Sequence, residues 1–365
     1  MKIVNNRKDI DDLLTILLPL KERPDFTLRW MQYADKIKLP FKVFIADGGA
    51  DSKTEEILST GKYFKNVNYR YKRYPYDHDY KQFYKKMISA ISEIDTPFVA
   101  LTDNDVFNMP KGLHASLNFL VQHADYSSCR GQHLDFTLVS GPDEKPGFLS
   151  GSRLYINKIY YNKCHSIWRS FESNNPLVRI EDWSYCTHIT YYNVQRINHF
   201  RDAWHFIVER NYEDIFLADI TISMFTLLAG KLKVFDFPFI LRQQNTPNAE
   251  SKKAIKKADI LDRMFVEKWT VDVNVLTNAV AENVSKAYGC DWKDASRVAM
   301  TCLKNHFADR LYAHLKQRDE QKPANRRDPA NGAGEFLEIS QQTEIQNEWR
   351  SVVDFLLSRT ATRQK

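Results

Sequence analysis

No stretch of the 365-residue chain reads as a membrane span or a targeting segment. The longest apolar run, residues 13–20, falls far short of the ~20 residues that a helix needs to cross a bilayer. No apolar segment followed by a small-residue cleavage site opens the chain. The expectation is therefore a cytoplasmic protein, with peripheral contact at the inner face of the membrane left open. Cysteine is sparse: Cys129, Cys164, Cys186, Cys290 and Cys302 form an odd set with no C-x-x-C spacing, which argues against a disulfide framework and a zinc site. No RNA-recognition signature, zinc-finger spacing or basic zipper is present, and a formal charge of +6 is modest for this length, so nucleic acid is not an expected partner. Internal repeats and long low-complexity tracts are missing as well.

What is present is 43% hydrophobic and 13% aromatic residues, enough for one sizeable domain with an appendage. Three short apolar runs, 13–18, 41–46 and 98–101, each stop in polar, turn-forming residues. Between them, apolar residues recur at helical spacing: Phe26 to Ala34, Thr54 to Leu58, and Phe83, Met87, Ile88, Ile91 and Ile94. Strand and helix in alternation imply parallel βαβ units, whose ligands bind at the carboxyl ends of the strands. Pro19, Asp47 and Asp103 would then converge on one crevice. The third run ends in Thr102-Asp103-Asn104-Asp105, and two carboxylates at the end of a buried strand are costly without a cation or donors nearby. Hard oxygen ligands at this spacing suit Mn²⁺ or Mg²⁺, with a diphosphate completing the coordination. A plain Asx-turn would leave the same short pattern.

Order and spacing of three motifs carry a resemblance. Leu17-Leu18-Pro19-Leu20-Lys21-Glu22-Arg23, then Ala46-Asp47-Gly48-Gly49-Ala50-Asp51, then Thr102-Asp103-Asn104-Asp105 resemble the glycosyltransferases of the GT-A fold, in particular the large, mostly inverting bacterial group called family 2. The second motif departs from that group at Ala46 and Ala50. The resemblance covers residues 10 to about 245 and implies an α/β fold of GT-A (Rossmann-like) type: a mostly parallel central sheet flanked by helices, here with a helical C-terminal extension. It also implies nucleotide-sugar contacts at Pro19, Lys21, Arg23, Asp47, Gly48, Asp103 and Asn104. Asp47 would accept a hydrogen bond from base or ribose, Asp105 would bind the metal directly, and Asp103 would touch the ribose or a metal-bound water. In Asp77-His78-Asp79-Tyr80-Lys81-Gln82-Phe83-Tyr84-Lys85-Lys86, the family's basic residue before the third strand falls near Lys81 or Lys85, either of which would meet phosphate, although basic residues on a helix are often a solvated face. Arg242 lies where related enzymes place a polar group that meets the diphosphate.

Transfer to a hydroxyl also needs a base, since a protonated acceptor is a poor nucleophile. The stretch from Glu213 to Val234 resembles the family's acidic motif followed by helix, glycine and strand. The distance to Gly230 favours Asp219; Asp214 and Glu213 stay as alternatives, as does Asp182 in the acidic pair Glu181-Asp182 beside Trp183. Most of the aromatic residues between 150 and 212, among them Trp168, Trp183 and Trp204, are expected in the core.

The implied domain plan is a GT-A domain over 1–248, with a nucleotide-binding half (1–110) and an acceptor-binding half (111–248), then a helical region over 249–365. Helical spacing runs over 254–266, 273–288, 295–315 and 344–357, and the charged, proline-containing segment 316–334 reads as flexible. The implied activity is metal-dependent transfer of a sugar from a nucleotide-diphosphate sugar to a hydroxyl of a glycan, lipid-linked or protein acceptor, with inversion. The alternatives are a non-catalytic carbohydrate- or partner-binding protein on the same fold, and a sugar nucleotidyltransferase. The latter expects a glycine-rich loop after the first strand, where this chain has Pro19 to Arg23 with no glycine.

Overall fold

The computed structural model describes residues 10–139, 153–159, 169–185, 189–243, 246, 262–263, 265–319, 348, 351–352 and 355. A nine-stranded sheet forms its centre. The first three motif-bearing runs become β1 (Leu14–Leu20), β2 (Lys42–Asp47) and β4 (Phe98–Leu101), joined by β3 (Tyr69–Arg73), β5 (Val106–Asn108), β6 (Tyr126–Val139), β7 (Arg153–Ile159), β8 (Val194–Arg196) and β9 (Lys231–Gln243). The strand order is β3-β2-β1-β4-β8-β6-β9-β5, with β7 added to β6. The first four strands run parallel, as do β6 and β9, while β8, β5 and β7 run against their neighbours.

Residue alternation along the parallel strands divides the core into two layers. Ile16, Leu18 and Leu20 of β1, Val43 and Ile45 of β2, and Phe98 and Ala100 of β4 face one side. Their neighbours Leu17, Phe44, Ala46, Val99 and Leu101 face the other, as a period of two requires. The first side is covered by α1 (Pro24–Lys36), α2 (Ser52–Leu58) and α4 (Pro110–Gln122), through Trp30, Met31, Leu58, Leu113 and Leu117. The second is covered by α3 (Tyr80–Ser92), α5 (Pro176–Ser184), α6 (Ile197–Glu209) and α7 (Ile215–Ala229). Both Trp183 and Trp204 are buried there, as expected of core residues.

Local chemistry explains where the helices begin. Asp51 and Asp79 accept from the backbone N–H groups of Lys53 and Gln82, at 2.6 and 2.8 Å, and so cap α2 and α3. Proline opens α1, α4 and α5, where its missing N–H costs nothing. Beyond the sheet, α8 (Glu267–Tyr288) and α9 (Trp292–Asp319) add their apolar faces to the second core layer. Trp269 meets Phe307 at 4.7 Å between ring centroids, and Trp183 of α5 stacks on His306 of α9 at 4.8 Å. Near the C-terminus, a Glu348 carboxylate oxygen accepts from the Lys111 backbone N–H at 2.6 Å, and Phe355 lies 5.6 Å from the Tyr33 ring.

Several boundaries differ from expectation. Pro19 does not end the first strand; it pairs with Ala46 inside β1. Proline is tolerated because β4 reaches only to Leu17, so the ladder is one-sided at Pro19. Helix α9 runs through residues 316–319, the start of the segment expected to be flexible, because no glycine or proline interrupts it there. The rest of that segment, Trp168, Cys164, Cys186 and most of 254–266 lie outside the described residues. Cys129, Cys290 and Cys302 are free thiols. Among the described residues no helix is long and apolar enough to cross a membrane.

Candidate functional site

The carboxyl ends of β1, β2 and β4 lie side by side, where the sequence places the crevice, and the segments that follow them are tied together by hydrogen bonds. The Gly48 N–H donates to the Leu20 carbonyl at 3.0 Å, and the Asp77 N–H donates to the Gly48 carbonyl at 2.9 Å. Lys86 of α3 donates from Nζ to the Leu20 carbonyl at 2.8 Å and forms a buried ion pair with Asp77. Only glycine fits at position 48: a Cβ there would lie 2.5 Å from the Asp77 carboxyl carbon.

Asp47, at the end of β2, is 2% exposed. Its Oδ1 accepts from the Gly49 N–H at 2.8 Å, and its Oδ2 from the Tyr71 hydroxyl at 2.7 Å and Arg73 Nη1 at 3.0 Å. Burial and the hydrogen bond to Asp47 raise the Tyr71 phenol well above its ordinary value, so it donates to the carboxylate. Held from three directions, Asp47 is a fixed anion with lone-pair capacity left for a ligand N–H or O–H.

The Asp-x-Asp turn follows β4. Asp103 Oδ2 accepts from the Tyr192 hydroxyl at 2.5 Å, and Asp105 Oδ2 accepts from Arg23 Nη1 at 3.1 Å. Burial, and after it the charge of Asp105, raise the Asp103 carboxyl above its ordinary value. Strand β9 locks the turn from below: the Gln243 N–H donates to the Asp105 carbonyl at 2.9 Å, and Arg29 of α1 donates to Gln243 Oε1 at 2.8 Å. The Arg242 guanidinium lies over the Tyr192 ring at 5.7 Å. Asn104 is buried, its Nδ2 donating to Thr27 Oγ1 of α1 at 3.1 Å. Lys21 lies over the Tyr76 ring at 5.7 Å.

Asp105 Oδ1 is buried and has no hydrogen-bond partner among the described residues. A buried, unmatched carboxylate oxygen beside a second carboxylate fits a hard divalent cation. No group of three or more His, Cys, Asp or Glu that could hold a metal is found among the described residues. Asp103 and Asp105 therefore make a two-carboxylate site, and a cation there would need further oxygens from the ligand or water.

The other expected residues separate. Asp219 is half-buried in the second turn of α7. Burial, and after it the nearby charges of Asp103, Tyr192 and Asp219, push the Tyr191 phenol well above its ordinary value. Asp214 is instead the cap of α7, accepting from the Phe216 and Leu217 N–H groups at 2.9 and 3.0 Å, and it is ion-paired to Arg263. Glu213 pairs with Lys81 at 2.7 Å on the surface, Asp182 with Arg169 at 3.3 Å, and Lys85 is exposed. The buried cation of α3 is Lys86. Gly230 is in extended backbone and not in a left-handed helix stop; a Cβ there would come within 2.8 Å of the Ser127 nitrogen, so close approach of α7 to β6 is what requires it. Tyr191, Tyr192, Tyr71 and Arg73 were not legible as site residues, because their sequence contexts carry no motif.

No protein-family model matches the sequence, and no curated protein is similar to it. Among solved structures, the chain is similar to crystal structures of S. aureus TarS. With TarS 1–349 in complex with UDP-GlcNAc the TM-score is 0.50 at 13% identity, covering 96% of this chain and 91% of that one. With the longer TarS chain the TM-score is 0.48 at 11% identity, covering 96% of this chain and 55% of that one, so this chain spans about half the length of that protein. The likeness is one of fold: a mostly parallel, helix-flanked GT-A-type sheet with a helical C-terminal extension.

Proposed function

We propose that the chain transfers a sugar from a nucleoside-diphosphate sugar to a hydroxyl acceptor, assisted by Mn²⁺ or Mg²⁺ and with inversion at the anomeric carbon. The observation that carries this reading is the placement of Asp47 at the end of β2 and of Asp103 and Asp105 at the end of β4, the two parallel neighbours of β1, with one Asp105 oxygen buried and unmatched. That TarS 1–349 has been seen in complex with UDP-GlcNAc supports it. Asp47 would orient the base or ribose by accepting a hydrogen bond. Asp103 and Asp105 would hold the cation, which supplies positive charge against the departing diphosphate. Arg242 adds a further positive charge at that edge. Asp219 would accept the acceptor proton while the new carbon–oxygen bond forms; the old bond's electron pair leaves with the diphosphate on the opposite face. Glycan, lipid-linked and protein hydroxyls all meet this requirement, and we infer a cytoplasmic reaction; a lipid-linked acceptor would be met from the inner face of the membrane.

The test pairs two variants. In a thermal-shift panel of UDP, GDP, CDP and dTDP with and without Mn²⁺, wild type should be stabilised by one nucleotide when Mn²⁺ is present, and Asp105→Ala should lose that response. Asp219→Asn should keep the response and lose transfer by about 10²–10⁴-fold. A full response in Asp105→Ala removes the cation site, and full transfer in Asp219→Asn removes the base.

A further inference from the structure

Arg23 reaches across the crevice to a residue 82 positions away in the chain. Its backbone is left-handed, with φ 59°, and so is that of Glu22, with φ 56°. Non-glycine residues seldom adopt this conformation, so two in succession mark a turn held by its surroundings. The holders are visible. The Arg23 carbonyl accepts from the Phe26 and Thr27 N–H groups at 3.1 and 3.2 Å as α1 begins, and Glu22 Oε1 accepts from the Ala50 N–H at 3.2 Å. The turn thereby delivers the guanidinium to Asp105 Oδ2, where the carboxylate side chain is 3% exposed and the arginine side chain 18%.

We propose that Arg23 is a resident counter-ion of Asp105 that withholds this carboxylate from a divalent cation until a nucleotide diphosphate draws the guanidinium away, so that the cation enters with the donor. The proposal rests on the donor and cation reading given above. A cation approaching the unmatched Oδ1 meets a guanidinium already bound to the other oxygen of the same carboxylate, and like charges at that separation in a buried site repel strongly. The guanidinium contacts Asp105 through one nitrogen, and its planar fork suits phosphate oxygens. A diphosphate therefore offers Arg23 a better-matched partner and brings the oxygens that a two-carboxylate site needs.

Binding of Mn²⁺ to the full chain, followed by loss of the free Mn²⁺ paramagnetic resonance signal, tests this without reference to turnover. Wild type should bind Mn²⁺ weakly alone and more tightly with UDP. Arg23→Gln should bind Mn²⁺ alone about tenfold more tightly than wild type and lose most of the gain from UDP. Arg23→Lys, which keeps the charge but not the planar fork, should bind Mn²⁺ alone as weakly as wild type and show a smaller gain from UDP. Equal or weaker Mn²⁺ binding by Arg23→Gln, with its thermal unfolding unchanged, overturns the proposal. That result, with a wild-type Mn²⁺ affinity that still rises with UDP, leaves the donor and cation reading standing; a wild-type Mn²⁺ affinity that UDP leaves unchanged overturns both the reading and the proposal, even where the glutamine variant does not fold. No Mn²⁺ binding by any of these proteins, with or without UDP, overturns the cation site and the counter-ion role together.

Discussion

Lys86 and Asp77 form the ion pair on which the crevice is assembled, with side chains 0% and 1% exposed. Burial pulls the Lys86 ammonium below its ordinary value and pushes the Asp77 carboxyl above its own, in spite of their mutual attraction. Either partner alone would be an uncompensated buried charge. Lys86→Met and Asp77→Leu should each destabilise by about 3–5 kcal/mol in urea unfolding, and the double variant should lose less than the two together. Strict additivity would show that the pair is not coupled. Lys81, Lys85 and Lys86 share one helix, and the sequence does not separate them. Burial of Lys86 depends on a carbonyl 66 residues away and a carboxylate 9 away, and no helical periodicity encodes those.

Strand β3 shows the same limit for an element. Its residues alternate between half-buried and exposed at the end of the sheet, with arginine and lysine among them, which is how edge strands are kept polar. Without an apolar run it was not legible, although it carries Tyr71 and Arg73 to Asp47. It is tied to the end of α3 by Glu93, whose Oε1 accepts from Lys72 Nζ at 2.6 Å and Tyr74 Oη at 2.9 Å, while Arg70 donates to its carbonyl at 3.1 Å. Burial would raise the Glu93 carboxyl, but the hydrogen bonds from Lys72 and Tyr74 and the nearby positive charges hold it below its ordinary value. A depressed carboxylate stabilises the fold above its unfolded value and loses that contribution as pH falls through the folded value. Stability of wild type should therefore fall more steeply below about pH 4.5 than that of Glu93→Gln, read from denaturant midpoints across pH. Parallel slopes would exclude Glu93 as a contributor.

Across the molecule, Glu348 and Phe355 return to the side of the sheet that carries α1 and α4. Phe355 is 5% exposed and packs on Tyr33 of α1 and Phe107 of β5, and Val352 is fully buried. The helices α8 and α9 join one layer of the core, and Phe355 packs separately against Tyr33 and Phe107. Phe355→Ala should destabilise the whole chain by about 3 kcal/mol in a single transition. A separate, earlier transition, or no loss, would mean that this segment does not stabilise the sheet.

Strand, polar turn and helix follow one another in the first hundred residues with patterns that are local, so the parallel strands and the positions of Asp47, Asp103 and Asp105 at their carboxyl ends were readable from the chain alone. The roles of the remaining charges were not, because each depends on a partner distant in sequence. Asp214 is a helix cap bound to Arg263, Lys81 belongs to Glu213, Arg23 to Asp105, and Tyr192 to Asp103. Charge type and spacing specify which groups can bind. Long-range packing chooses which of them stay exposed, which are matched inside the fold, and which, such as Asp105 Oδ1, are left buried without a hydrogen-bond partner among the described residues.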